Sequence, residues 1–164
     1  MFIDYWLEII RSSDTSSTYK MAWAKAITHV AYDLDLSKCE PNDLIDIGLD
    51  QIAIKFFSYY WDQDVFFRLH QNSNTKKLAS IIKQVRDIEE KLVKLKGSSQ
   101  PIKFVRAEPL ILSLGKEFTN KEISKTVKLL KQDVSHRFLS DKFNDSPYAP
   151  AYELDLKGEK ITKI

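Results

Sequence analysis

Apolar side chains return every three or four positions along most of this chain, with polar side chains filling the gaps. Phe2, Tyr5, Trp6, Ile9 and Ile10 predict a short amphipathic helix over 2–11 that ends near the Ser/Asp/Thr cluster at 12–18. Ser16 or Ser17 is placed to cap the next helix, whose buried face is Tyr19, Trp23, Ile27, Val30 and Leu34. Ala22, Ala24, Ala26 and Ala31 let a neighbouring helix come close. After a break at 35–41, Leu44, Ile47, Ile52, Phe56 and Tyr59 predict a third helix over about 42–60, locally weakened by Gly48. The cleanest pattern runs over 76–96. There Leu78, Ile81, Ile82, Val85, Ile88, Leu92 and Leu95 form an apolar stripe, and Lys76, Lys83 and Lys94 form a lysine stripe on the opposite side.

Gly97-Ser98-Ser99-Gln100-Pro101 ends that helix and is the best candidate linker. Beyond it, 102–105 reads as a short strand or extended segment, and Pro109 to Leu114 as a buried turn. Thr119 and Glu122 have the spacing of a capping box, with Phe118 and Ile123 as its hydrophobic staple, so a helix is predicted from 120 to about 139. The tail from Tyr152 to Ile164 alternates and turns as a β-hairpin does. The predicted fold class is α+β, mainly α. A helical domain over 1–96 is followed by a helix plus β-hairpin subdomain over 101–164, and the two can also pack as one unit. A capped basic helix followed by a hairpin is the order of winged-helix modules, and plain α+β packing has the same order.

Composition narrows the classes. With 43% hydrophobic residues in 164, the chain can bury one sizeable core, and only 4 glycines and 5 prolines argue against a turn-rich β fold. The lone Cys39 allows no internal disulfide and no zinc site of its own, which fits a reducing cytoplasm. Asp4 and Glu8 in a short apolar start argue against a signal peptide or a membrane span. The net charge of +2 conceals a division. Residues 1–64 hold 5 Lys+Arg against 11 Asp+Glu, whereas residues 65–164 hold 20 against 12. Such segregation suits a polyanion site on the second half, or a pairing of acidic with basic protein surfaces.

Several short motifs occur in a recognisable order. Ser16-Ser17-Thr18-Tyr19-Lys20 opens a long helix, Tyr60-Trp61 with Gln63 closes a later one, Leu69, Gln71 and Asn72 follow, and Arg137-Phe138 precedes the predicted hairpin. In that order and spacing, over roughly residues 5–157, the chain resembles the amino-terminal helical half of a bacterial family of HNH endonucleases. The resemblance implies DNA as a partner, a setting in prokaryotic restriction or phage defence, and a homodimer or a nuclease subunit as a further partner. Tyr19, Lys20, Gln71 and Asn72 would be the family-like surface.

The chemistry of an HNH centre is not matched. Such a centre needs a general-base histidine on a hairpin and further ligands on a following helix. His29, His70 and His136 stand in separate segments, each without a second histidine at ligand spacing. No catalytic residue, metal site or cofactor is therefore assigned. Asp62 and Asp64, read as a loop, are a metal pair or a solvated acidic turn. Tyr60 and Trp61 stack on bases or lie in the core. The expected function is a non-catalytic DNA-binding or nuclease-positioning domain. Its phosphate contacts would be Lys76, Lys83, Lys94, Lys121, Lys125 and Lys128, with Lys20, Gln71 and Asn72 alongside. The other reading is a protein-interaction subunit with no nucleic-acid contact.

Overall fold

In a computed structural model the residues described are 18–34, 45–69, 78–131, 152–155 and 160–163. They are mainly helical: α1 (Tyr19–Asp33), α2 (Leu49–Phe67), α3 (Ser80–Lys96), α4 (Phe104–Ser113) and α5 (Lys116–Leu129). A short strand, β1 (Ile45–Gly48), precedes α2. The backbones of β2 (Tyr152–Asp155) and β3 (Lys160–Lys163) pair antiparallel, and β3 also pairs with β1, giving the order β1-β3-β2. Residues 156–159, which would close the expected hairpin, lie outside the described residues. So do the expected helix over 2–11 and the chain from 132 to 151.

The centre of the fold is α2, which touches each of the other four helices. Its Ile52, Phe56, Tyr60 and Trp61 are fully or almost fully buried, against Trp23 and Val30 of α1 and Ile81, Val85, Ile88 and Leu92 of α3. Ala107 and Ile111 of α4, with Val127 and Leu130 at the end of α5, belong to the same cluster. Residues on both sides of the 97–101 linker therefore share one core. Each large side chain buried in this way contributes about 1.5–3 kcal/mol. Small Ala24 and Ala26 let α1 lie close, and the Tyr19 ring meets the Phe56 and Tyr60 rings edge-on at 5.7 Å.

Both ends of α2 and the start of α3 differ from the sequence expectation. The helix expected over 42–60 runs over 49–67, and its anticipated start is strand. Ile45-Asp46-Ile47 alternates with a period of two, and extended Gly48 (φ −65°, ψ 138°) is the N-cap, where a Cβ would collide with the Asp50 carboxylate. Because α2 runs on to Phe67, Asp62 and Asp64 lie on a helix and not in a loop. The helix stops at Arg68, a non-glycine residue in the left-handed region (φ 50°), whose N–H donates to the Asp64 carbonyl at 3.0 Å. At the other end of the gap, α3 starts at Ser80, four residues later than the start expected at 76; Lys76 itself lies outside the described residues. The expected end of α3 holds: Gly97 (φ 67°) donates its N–H to the Val93 carbonyl at 2.9 Å.

The strand and turn expected over 102–114 are instead α4. Phe104 and Val105 favour strands locally, yet side chains of α2 supply what a helix start lacks. Asp62 Oδ1 accepts the Phe104 N–H at 2.8 Å, and the Trp61 indole donates to the Ile102 carbonyl at 2.9 Å. Pro109, inside α4, lacks the N–H that would reach the carbonyl of Val105, an exposed residue where water can take its place.

The capping box at Thr119 does not form. Helix α5 starts four residues earlier than expected, at Lys116, with Gly115 (φ 105°) as N-cap, and Thr119 stands one turn inside, donating its hydroxyl to the Gly115 carbonyl at 3.1 Å. The tight reversal from α4 at Leu114-Gly115 sets this start, and Glu122 is engaged elsewhere. Gly115→Ala should therefore cost about 1–3 kcal/mol in urea denaturation, since a Cβ disfavours that φ. Thr119→Ala should cost less than about 1 kcal/mol, because its hydroxyl is not the cap. The reverse ranking would restore Thr119 as the cap.

Candidate nucleic-acid interface

Helices α3 and α5 lie side by side and antiparallel. Gln84, near the start of α3, donates through Nε2 to the Glu122 carbonyl (2.8 Å) and carboxylate (3.0 Å), and it accepts the Thr126 hydroxyl at 3.1 Å. Two turns later the Lys91 ammonium sits 4.3 Å from the centre of the Phe118 ring, earlier in α5. Thus Gln84 and Lys91 face α5, while Ile81, Val85, Ile88 and Leu92 face the core. Likewise Phe118, Glu122 and Thr126 face α3, while Val127 and Leu130 face the core.

The positions left over form the outer side of both helices. On α3 these are Lys83, Asp87, Glu90 and Lys94, because separations of seven and eleven residues are close to whole numbers of turns. On α5 they are Lys121, Lys125 and Lys128, all exposed. Packing therefore brings five of the nine residues expected to touch DNA to one two-helix surface, which Asp87 and Glu90 of α3 and Glu117 of α5 share as acidic members. Two of the five lysines are engaged. Lys94 Nζ lies 2.8 Å from Glu90, whose carboxyl it holds below the usual range by hydrogen bond and charge. Lys125 Nζ lies 2.7 Å from Glu122. Lys83, Lys121 and Lys128 make no ion pair among the described residues. Lys20 is on the first turn of α1, a helix packed mainly on α2, and lies apart from this surface. Gln71, Asn72 and Lys76 lie outside the described residues.

A buried charge network holds α3 in place on α2. The Asp64 side chain is 0% exposed, and Arg86 of α3 grips it with Nε at 2.9 Å from Oδ2 and Nη2 at 2.8 Å from Oδ1. Arg68 adds a hydrogen bond to Oδ2 at 3.2 Å and pairs in two-pronged fashion with Glu89, both bonds 3.0 Å long. These bonds and charges push the Arg86 and Arg68 guanidiniums further up from their already high values. The i,i+4 spacing of Asp64 and Arg68 is the only local signal for this network. The Arg86 partnership spans twenty-two residues and has no local signature.

The aromatic and histidine candidates fall to other roles. Tyr60 and Trp61 are each 1% exposed, so neither is available to stack on a base. His29 is exposed on α1, with Nδ1 hydrogen-bonded to the Tyr59 hydroxyl at 2.6 Å. His70 and His136 lie outside the described residues. No group of three or more His, Cys, Asp or Glu suited to a metal ion occurs among the described residues. Likewise no described helix is long and apolar enough to cross a membrane.

Tyr59 offers a check on the α1–α2 packing. Burial first, and the negative Asp33 second, push its hydroxyl up to about 12 from 10.0. Burial also raises Tyr60, against an opposing hydrogen bond from Thr18. The folded state thus keeps protons that the unfolded chain loses, so this contribution to stability is complete below pH 10 and is lost as pH rises through about 12. Phenolate absorbance should show Tyr59 and Tyr60 ionising at higher pH in the folded protein than in the chain unfolded by denaturant. Loss of that difference, checked with Tyr59→Phe and Tyr60→Phe, would contradict the packing.

Comparison of the chain with protein-family models, with curated proteins and with solved structures gave no match.

Proposed function

We propose that this chain is a non-catalytic DNA-binding domain that positions a nuclease, in a restriction or phage-defence setting, and that the outer side of α3 and α5 lies along duplex phosphates. The observation that carries this reading is the convergence of Lys83, Lys94, Lys121, Lys125 and Lys128 from two helices onto one surface. Lysine acts there as a flexible point charge that releases condensed counterions and reads no sequence. The resemblance to the amino-terminal region of HNH endonucleases points the same way. In this reading α5 and the β2 and β3 segments are arranged as in a winged helix, with a hairpin as the wing.

The test is duplex DNA binding by the chain across a salt series. The expected log–log slope is about −0.9 per phosphate neutralised, with supercoiled plasmid left uncut in magnesium, manganese or nickel. A slope near zero would remove DNA from the reading. Metal-dependent nicking that copurifies with the protein would overturn its non-catalytic part.

A second reading, a protein-interaction subunit, draws on Phe66, Phe67 and Leu69, which are exposed together at the end of α2. It predicts a partner held through apolar surfaces, so that the complex survives salt that strips DNA from the lysines.

A further inference from the structure

Where α2, α3, α4 and α5 meet they leave a cavity of about 100 Å³, open to solvent beside the exposed Glu108 and Leu112. Small Ala53 of α2 makes the room, and Phe57, Ile88, Phe104, Ile111 and Ile123 wall it. The Phe57 and Phe104 rings meet edge-on at 5.9 Å. The buried polar groups of the lining are spent on one another: Gln84 donates to Glu122 at 3.0 Å and accepts the Thr126 hydroxyl at 3.1 Å, and Glu122 also pairs with Lys125. Glu108 is the exception. It shares one side of α4 with Phe104, Ile111 and Leu112, so a carboxylate interrupts the stripe that faces the cavity. Its neighbours three and four residues away are all apolar, and its carboxylate makes no ion pair among the described residues.

We propose that this cavity binds a small apolar ammonium ion, a primary amine carried on one ring or one short branched chain, with the apolar end inside and the charge at Glu108. Size sets the first part. An enclosed apolar cavity of about 150 Å³ holds a benzene ring. A cavity of about 100 Å³ that is open on one side therefore takes one group of that kind, with its polar end at the mouth. Charge sets the second part. The ionisable side chains of the lining are Glu108 and Glu122, with no lysine, arginine or histidine among the described lining residues, and Glu122 is already matched by Lys125. An anion at the mouth would be repelled, and a neutral ligand would gain nothing from Glu108. A cation gains its partner there, and aromatic walls attract the same sign of charge. This site does not depend on the DNA reading.

Side-chain NMR of the full chain, titrated in turn with benzylamine, benzyl alcohol and benzoate, tests this. Benzylamine should shift the Phe104, Ile111 and Ile123 resonances saturably. It should bind about two- to fivefold more tightly than benzyl alcohol, the size of one exposed charge pair, and benzoate should bind most weakly. Glu108→Gln should remove the preference for the amine while leaving the affinity for benzyl alcohol as it was. Ile123→Trp should fill the cavity and weaken benzylamine at least about tenfold. Leu112→Trp, at the exposed mouth, takes its place if that variant fails to fold. Absence of saturable shifts at these residues, or binding indifferent to the filling substitution, would overturn the cavity as a site. Benzyl alcohol or benzoate binding as tightly as benzylamine, or a preference for the amine that survives Glu108→Gln, would overturn the choice of a cation.

Discussion

Asp64→Asn should destabilise the protein by about 3 kcal/mol, a large share of the roughly 5–15 kcal/mol that holds a typical domain together. The carboxylate is 0% exposed and meets three guanidinium nitrogens from Arg86 and Arg68. Asparagine keeps the volume but removes the charge, and its amide turns a donor toward donors. Losing one partner of a buried pair costs about 3–5 kcal/mol, and the lower end applies because both arginines remain partly open to water. The same logic fixes the outcome when both partners go. Asp64→Asn with Arg86→Leu should lose less than the sum of the single changes, with a coupling of about 1 kcal/mol or more. Urea denaturation of the four proteins checks this. Additive losses, or a single loss below about 1 kcal/mol, would mean that the pair does not hold α3 on α2.

The second large effect concerns affinity. Lys83, Lys121 and Lys128 lie on one surface and make no ion pair among the described residues, whereas Lys94 and Lys125 are already matched by Glu90 and Glu122. An engaged lysine must leave its carboxylate to meet a phosphate, so the three unengaged ones should contribute most to binding. Lys83→Glu, Lys121→Glu and Lys128→Glu together should lower duplex DNA affinity by about two to three orders of magnitude, roughly tenfold each, and reduce the salt slope by about 0.9 for each phosphate no longer neutralised. The pair Lys94→Gln and Lys125→Gln should do much less. The effect should be alike for unrelated sequences, because lysines on phosphates carry no sequence information. Equal effects from both sets, or none from the first, would move the DNA-binding surface elsewhere. Thermal unfolding of the variants must stay near that of the parent chain, as expected for exposed positions.

Reading along the chain locates the helices where periodicity is long and unmixed. The α3 stripe and its end at Gly97 are both legible, since an amphipathic face and a left-handed glycine are properties of the local chain. The buried face of α1 is legible for the same reason, with Trp23 and Val30 in the core and Tyr19, Ile27 and Leu34 packed against it. Where local preference and tertiary satisfaction disagree, the sequence misleads. Thr119 and Glu122 spell a cap, but Glu122 is drawn to Gln84 and Lys125, and Gly115 starts the helix. Phe104 and Val105 spell a strand, but Asp62 supplies the missing acceptor and makes a helix.

For the candidate site the division follows the same line. Residue type and spacing determine that Lys83 and Lys94 share one side of their helix, and Lys121, Lys125 and Lys128 one side of theirs, because about 3.6 residues per turn is a property of the backbone alone. Whether those two sides point the same way depends on rotation about each helix axis. Only packing decides that: Gln84 meeting Glu122 and Thr126, Lys91 covering Phe118, and Asp64 clamping Arg86 from beneath turn both lysine rows outward together.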